Sequence, residues 1–71
     1  MDLTIGEKIK VIMNRKGINM TELAAATNQT RQNLSNKMTR DNFTEKDARS
    51  IAEALGCDLV VEFRFPDGTS I

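Results

Sequence analysis

The sequence predicts a mainly α protein, with four short helices followed by a C-terminal β-strand or hairpin. Apolar residues recur at helical spacing as far as Leu55, and possible capping pairs stand three residues apart at the expected helix starts. From Asp58 onward the apolar period changes to two, which is typical of a strand. At 71 residues the chain is one domain near the lower size limit for independent folding, so a partner chain would help to bury its surface.

The first and fourth helices are expected to form the scaffold. Thr4 and Glu7 make a capping box for the first helix, and Thr44 and Asp47 make one for the fourth. Gly17 and Gly56 are the expected stops. The first helix would bury one stripe, Ile5, Ile9, Ile12 and Met13, and the fourth would bury another, Ala48, Ile51, Ala52 and Leu55.

The chain is organised around two short central helices separated by a break of about three residues. Asn19 and Glu22 form a capping box for the earlier helix, and Thr30 caps the later one. Asn28 lies at the corner between them, where a positive φ is expected and Asn tolerates it well. Ala24 would allow the two helices to approach closely.

The later central helix has one apolar face and one polar face. Leu34 and Met38 lie four residues apart on the apolar face. The opposite face carries basic and amide side chains with no acidic residue among them: Arg31, Gln32, Asn33, Asn36 and Lys37. Tightly joined helices of this kind are typical of modules that lay a helix into the DNA major groove. A solvated polar face is the alternative, although such faces usually mix acids with bases.

The C-terminal segment is expected to pair as a strand. Its alternating apolar residues are Leu59, Val61, Phe63 and Phe65, and Pro66-Asp67-Gly68 predicts a turn. The strand would either pack within its own chain or pair with a second copy, and we favour a homodimer because it also presents two reading helices. The predicted organisation is a DNA-binding domain over residues 1–57 and a dimerisation extension over residues 58–71.

Charge and composition narrow the function classes. Residues 6–40 carry seven basic and two acidic residues, a net charge of +5, whereas residues 41–71 carry three basic and seven acidic residues, a net charge of −4. This separation of basic and acidic residues along the chain favours one surface that faces a polyanion. The alternative is that the separation arose by chance and that the charges lie on solvated helix faces. Without histidine and with Cys57 as the single cysteine, the sequence predicts no zinc cluster, cofactor or internal disulfide. It also has no Gly-rich phosphate loop and no nucleophile with a base partner at recognisable spacing, so we expect no enzymatic activity. With no apolar run long enough to span a membrane, we expect a cytoplasmic protein.

Four segments, in this order and at this spacing, resemble the lambda-repressor-like helix-turn-helix family of the xenobiotic-response-element type. They are IGEKIK, GINMTELAAA, TRQNLSNK and IAEALG, and the resemblance covers about residues 3–58. The resemblance implies a compact helical bundle that binds operator-like double-stranded DNA, usually as a dimer, and regulates transcription.

Matched by position, the resemblance implies that Arg31, Gln32 and Asn36 read bases. The expected phosphate-binding or supporting residues are Thr30, Asn33, Lys37, Arg40, Lys16, Asn19 and Asn42. The chain departs from the family pattern at Met20, where a phosphate-binding Gln is common, and at Gln29 and Lys37, where apolar residues are usual.

The main rival hypothesis is a protein-interaction module. The C-terminal strand would then add to the sheet edge of another protein, and an antitoxin would combine that role with DNA binding.

Overall fold

The computed structural model describes residues 3–71, and four helices pack together in it. They are α1 (Ile5–Lys16), α2 (Met20–Ala26), α3 (Arg31–Arg40) and α4 (Glu45–Leu55). Helices α3 and α4 each pack against both α1 and α2. The predicted helical bundle is therefore confirmed. None of the helices in residues 3–71 combines the length and the apolar character that crossing a membrane requires.

Each helix begins where the sequence predicts, because a side-chain oxygen accepts a hydrogen bond from a backbone N–H of its first turn. The four capping residues are Thr4, Asn19, Thr30 and Thr44. The boxes at Thr4, Asn19 and Thr44 are reciprocal, with Glu7, Glu22 and Asp47 accepting from the capping N–H. The hydrogen bond from the Thr4 backbone N–H lowers the pKa of Glu7 below its ordinary value.

The core lies between the inward faces of the four helices. Its buried apolar residues are Ile9, Met13, Leu23, Ala24, Leu34, Met38, Ile51 and Leu55. Burial of Ala24 agrees with the predicted close helix approach. Ile5 departs from the predicted stripe, because its side chain remains 41% exposed at the start of α1.

The start of α1 is fastened to the end of α3 by a contact that the sequence analysis missed. Gly6 is buried there, and a Cβ at its position would stand 3.1 Å from the carbonyl oxygen of Met38. Its N–H donates to Asp41 Oδ1 at 3.0 Å. Asp41 itself ends α3 with a φ of 51°. Glycine thus permits a close crossing, and the carboxylate satisfies an otherwise unpaired N–H in the first turn.

The predicted C-terminal strand or hairpin is not supported. Residues 58–71, which we name the arm, contain only an isolated antiparallel bridge between Arg64 and Ser70. Two hydrogen bonds join the backbones of Phe63 and Ile71, at 2.6 and 2.9 Å. Within the described chain, residues 58–62 make no backbone hydrogen bond. A strand needs a neighbouring strand along its length, and the turn supplies one for only a few residues.

Candidate nucleic-acid interface

The short turn between α2 and α3 is closed by hydrogen bonds back to α2. Asn28 adopts a φ of 55°, as the sequence predicts for this corner. The N–H of Gln29 donates to the carbonyl oxygen of Ala24 at 3.0 Å, and Thr27 Oγ1 donates to the carbonyl oxygen of Leu23 at 2.9 Å. Because side-chain and backbone donors both return to α2, the turn is tight and well satisfied.

Helix α3 divides into a buried face and an exposed face, as predicted. Leu34 is fully buried and Met38 is 9% exposed, so this side anchors the helix in the core. The exposed side carries four of the predicted residues: Arg31, Gln32, Asn33 and Asn36. All three residues that are expected to read bases are therefore accessible in the chain itself.

Hydrogen bonds orient the amide side chains along this exposed face. Gln32 Nε2 donates to Asn36 Oδ1 at 3.1 Å, which joins two expected base readers one helical turn apart. Asn33 Nδ2 donates to Gln29 Oε1 at 3.1 Å, and Gln29 Nε2 donates to Thr27 Oγ1 at 2.8 Å. The second series connects α3 through the turn to the end of α2. It gives Gln29 a role in holding Asn33 in place.

Arg31 carries a charge and has no acidic partner within the described residues, whereas the amides beside it are hydrogen-bonded to other amides. Among the ion pairs formed within residues 3–71, none involves its guanidinium group. The side chain lies on the first residue of α3, at the end of the helix where the dipole is positive. A guanidinium in this position can approach an acceptor pair without first leaving a carboxylate.

Lys37 lies on the flank of α3 that faces α4, rather than on the open face. Its Nζ donates to Asp47 Oδ1 at 2.9 Å, and both side chains are 24% exposed. Asp47 Oδ2 also accepts the N–H of Thr44 at 3.1 Å. The hydrogen bond from Lys37, reinforced by that of the Thr44 N–H, lowers the pKa of Asp47. The charge of Lys37 is therefore engaged within the protein.

The other predicted supporting residues are distributed around α3. The Thr30 hydroxyl accepts the N–H of Asn33 at 3.0 Å, while Arg40 and Asn42 are exposed at the far end of the helix. Asn19 Oδ1 accepts the N–H of Glu22 at 2.8 Å. Lys16 lies apart from this group, since its ammonium is next to Gly56 at the C-terminal end of α4.

The sequence analysis named Gln29 and Asp47 but missed their contacts with Asn33 and Lys37. Gln29 stands four residues before Asn33, a spacing at which amide side chains commonly interact, so its role had a detectable signal. Asp47 gave no such signal, because its capping role already explained it and Lys37 is ten residues away.

Comparison with protein-family models identifies the type of domain. A family model described as a Cro/C1-type HTH DNA-binding domain matches residues 8–60. The chain belongs to this family. No curated protein and no solved structure matches the chain. The Cro/C1-type match includes all of α2, α3 and α4, confirms the lambda-repressor-like resemblance, and identifies DNA as the class of ligand.

Proposed function

We propose that this protein is a sequence-specific DNA-binding transcriptional regulator of the small repressor type. The observation that carries the proposal is the exposed, acid-free face of α3, presented by a tight turn in a Cro/C1-type domain. In helix-turn-helix proteins the second helix of the motif lies in the major groove, with its N-terminal residues at the base edges. Arg31 and Gln32 occupy that end of α3.

Base reading is assigned to three residues. The guanidinium of Arg31 suits the paired O6 and N7 acceptors of guanine, and the amides of Gln32 and Asn36 suit N7 and N6 of adenine. Because Gln32 and Asn36 are hydrogen-bonded to each other, they would meet the DNA as an oriented pair. Each good bidentate contact contributes about 1–3 kcal/mol of discrimination between bases.

Phosphate contacts would set the register of α3 in the groove without reading sequence. We assign this role to Thr30, Arg40 and Asn42, with Asn33 and Asn19 in support. Lys37 and Lys16 remain candidates for phosphate binding. To contact a phosphate, Lys37 would have to break its ion pair with Asp47, and the Lys16 ammonium would have to move away from Gly56. Their contribution is therefore expected to be smaller than that of Arg40.

A homodimer would present two copies of α3 to DNA about one helical turn apart, roughly 34 Å. The arm supplies the proposed interface, because Val61, Phe63 and Phe65 expose 55, 77 and 44% of their surface. Leu59 is half-buried at the foot of the arm and would extend the same apolar surface.

The test is selection of bound sequences from a random pool of duplex DNA, followed by affinity measurements at one stated salt concentration. Substitution Arg31→Ala should weaken binding to the selected site by about 1–3 kcal/mol and relax the preference at one base pair. Arg49→Ala is the matched control, since Arg49 lies on α4 near Glu45, with 3.6 Å between Nη2 and Oε2. An Arg31→Ala protein with unchanged sequence preference would contradict the assigned role.

A further inference from the structure

The chain exposes more surface than a compact monomer of its size. Its accessible area is 5574 Å² at 7.9 kDa, whereas the scaling law for monomeric proteins gives about 4,400 Å². Its radius of gyration is 13.3 Å, against about 11 Å for a compact domain of this length. The difference of about 1,200 Å² exceeds the roughly 800 Å² that one partner buries in an ordinary stable interface.

Much of the unusual exposure belongs to the arm. Val60, Phe63 and Ile71 are 79, 77 and 84% exposed, although apolar side chains of this size are normally buried. Every arm residue from Val60 to Ile71 is exposed. Together with the backbone of residues 58–62, which has no backbone partner, this leaves an apolar segment that residues 3–71 of the same chain do not cover.

A second uncovered apolar surface lies at the foot of the arm. It is a groove of about 590 Å³ between α1, α4 and residues 57–62. Its partly exposed apolar lining includes Ile5, Ile12, Phe43, Ala48 and Ala52. Residues 63–71 of the same chain are not among its lining residues, so the outer part of the arm leaves the groove open.

We propose that this groove receives the outer arm, residues 63–71, of a second copy of the chain. The inference rests on the proposed dimer and specifies which surface of each copy accepts the other. In a two-fold dimer, the outer arm of each copy covers the groove of the other copy. The same contact therefore occurs twice and covers both kinds of exposed apolar surface. The excess area of two chains, about 2,400 Å², falls in the range of permanent homodimers, about 2,000–5,000 Å².

Substitutions on α1 separate the groove from the rest of the surface. Ile5 and Val11 are both β-branched and are 41 and 39% exposed, but only Ile5 lines the groove. Sedimentation over a range of concentrations should show that the wild-type chain is a dimer. The dissociation constant of the dimer should rise at least tenfold in Ile5→Glu and in Phe63→Ser. Val11→Glu should sediment as the wild type does.

Circular dichroism on the same samples should show unchanged helix content. Ile5→Ser serves as the second groove variant, with the same expected weakening of the dimer, if Ile5→Glu perturbs α1. Groove variants that dimerise as tightly as the wild type, while Phe63→Ser is monomeric, would overturn the proposal and leave arm-to-arm pairing. A wild-type chain that stays monomeric would also overturn it, and would point to a different protein as the occupant.

DNA binding of the same variants distinguishes this proposal from the proposed function. The Ile5→Glu monomer keeps the exposed face of α3, so it should retain weak binding to random duplex DNA at low salt. A wild-type dimer that passes the groove test but binds no duplex would refute the proposed function alone. A monomeric wild type that selects a specific sequence would refute the groove proposal alone.

Discussion

Apolar residues form a buried core in the helical bundle, but most of those in the arm are exposed. In the bundle, Leu34 is completely buried, and a side-chain cap satisfies the start of every helix. In the arm, Phe63 keeps 77% of its surface exposed, and the backbone of residues 58–62 has no hydrogen-bonded partner in the described chain. Apolar character alone therefore does not determine whether a residue is buried.

The difference arises from whether a complementary surface exists within the chain. Each helix of the bundle has a neighbouring helix to cover its apolar stripe, and its polar ends are satisfied locally. The arm alternates with a period of two, but a strand is stable only beside another strand or under a covering layer. Its own turn supplies a single bridge, Arg64 to Ser70. The arm therefore finds no covering surface among residues 3–71, and the proposed dimer would provide one.

The largest expected contrast is between a core residue and an arm residue. Leu34→Ala should lower the free energy of unfolding by about 2–5 kcal/mol, because it opens a cavity in a fully buried site. Phe63→Ala should change it by less than about 0.5 kcal/mol when the protein is dilute enough to be monomeric. Urea denaturation at fixed low concentration measures both. Equal losses would show that the arm packs on the bundle in solution.

The two turns offer a smaller contrast. Asn28 has a φ of 55° in the turn of the bundle, and Gly68 has a φ of 94° in the turn of the arm. Asn28→Ala should destabilise the bundle by about 1 kcal/mol, because alanine lacks the tolerance of asparagine for this conformation. Gly68→Ala introduces strain of the same kind, but the thermal unfolding of the dilute monomer should not respond. If Gly68→Ala lowered the melting temperature and Asn28→Ala did not, the turn of the arm, and not the turn of the bundle, would contribute to the stability of the monomer.

The smallest contrast concerns two carboxylates whose pKa values are lowered. Lys37 is the main cause at Asp47 in the bundle, and the Thr69 hydroxyl is the main cause at Asp67 in the arm. Asp47→Asn should reduce the free energy of unfolding at neutral pH by about 1 kcal/mol or less, since the ion pair is partly exposed. Asp67→Asn should leave the unfolding of the bundle unchanged.

The dependence on pH follows from the direction of the Asp47 shift. A carboxylate with a lowered pKa in the folded state contributes its full stabilisation above its ordinary pKa, about 3.9. That stabilisation is lost as the pH falls through the lowered value. The difference between wild type and Asp47→Asn should therefore be constant from about pH 5 to 7 and shrink in stronger acid. Urea denaturation across this range measures it, and a difference that grows in acid would contradict the assignment.

Local features of the sequence predicted much of the fold and of the exposed α3 face. Capping pairs such as Asn19 and Glu22 lie within one helical turn, so their spacing is visible in the chain. The contacts of Lys37 with Asp47 and of Gly6 with Asp41 were not predictable in this way, because they join residues ten and 35 positions apart. The prediction that the arm forms a strand was wrong. An alternating apolar pattern indicates an extended backbone, but it does not show which other strand that backbone would pair with.

The junction between Gly6 and Asp41 has a practical consequence for protein engineering. It secures the C-terminal end of α3 from beneath, while the residues at positions 31, 32, 33 and 36 face outward. A combinatorial library can therefore randomise those four positions as a cassette while the scaffold sequence stays constant. Positions 6 and 41 belong to the constant part of such a library, because their hydrogen bond joins the start of α1 to the C-terminal end of α3.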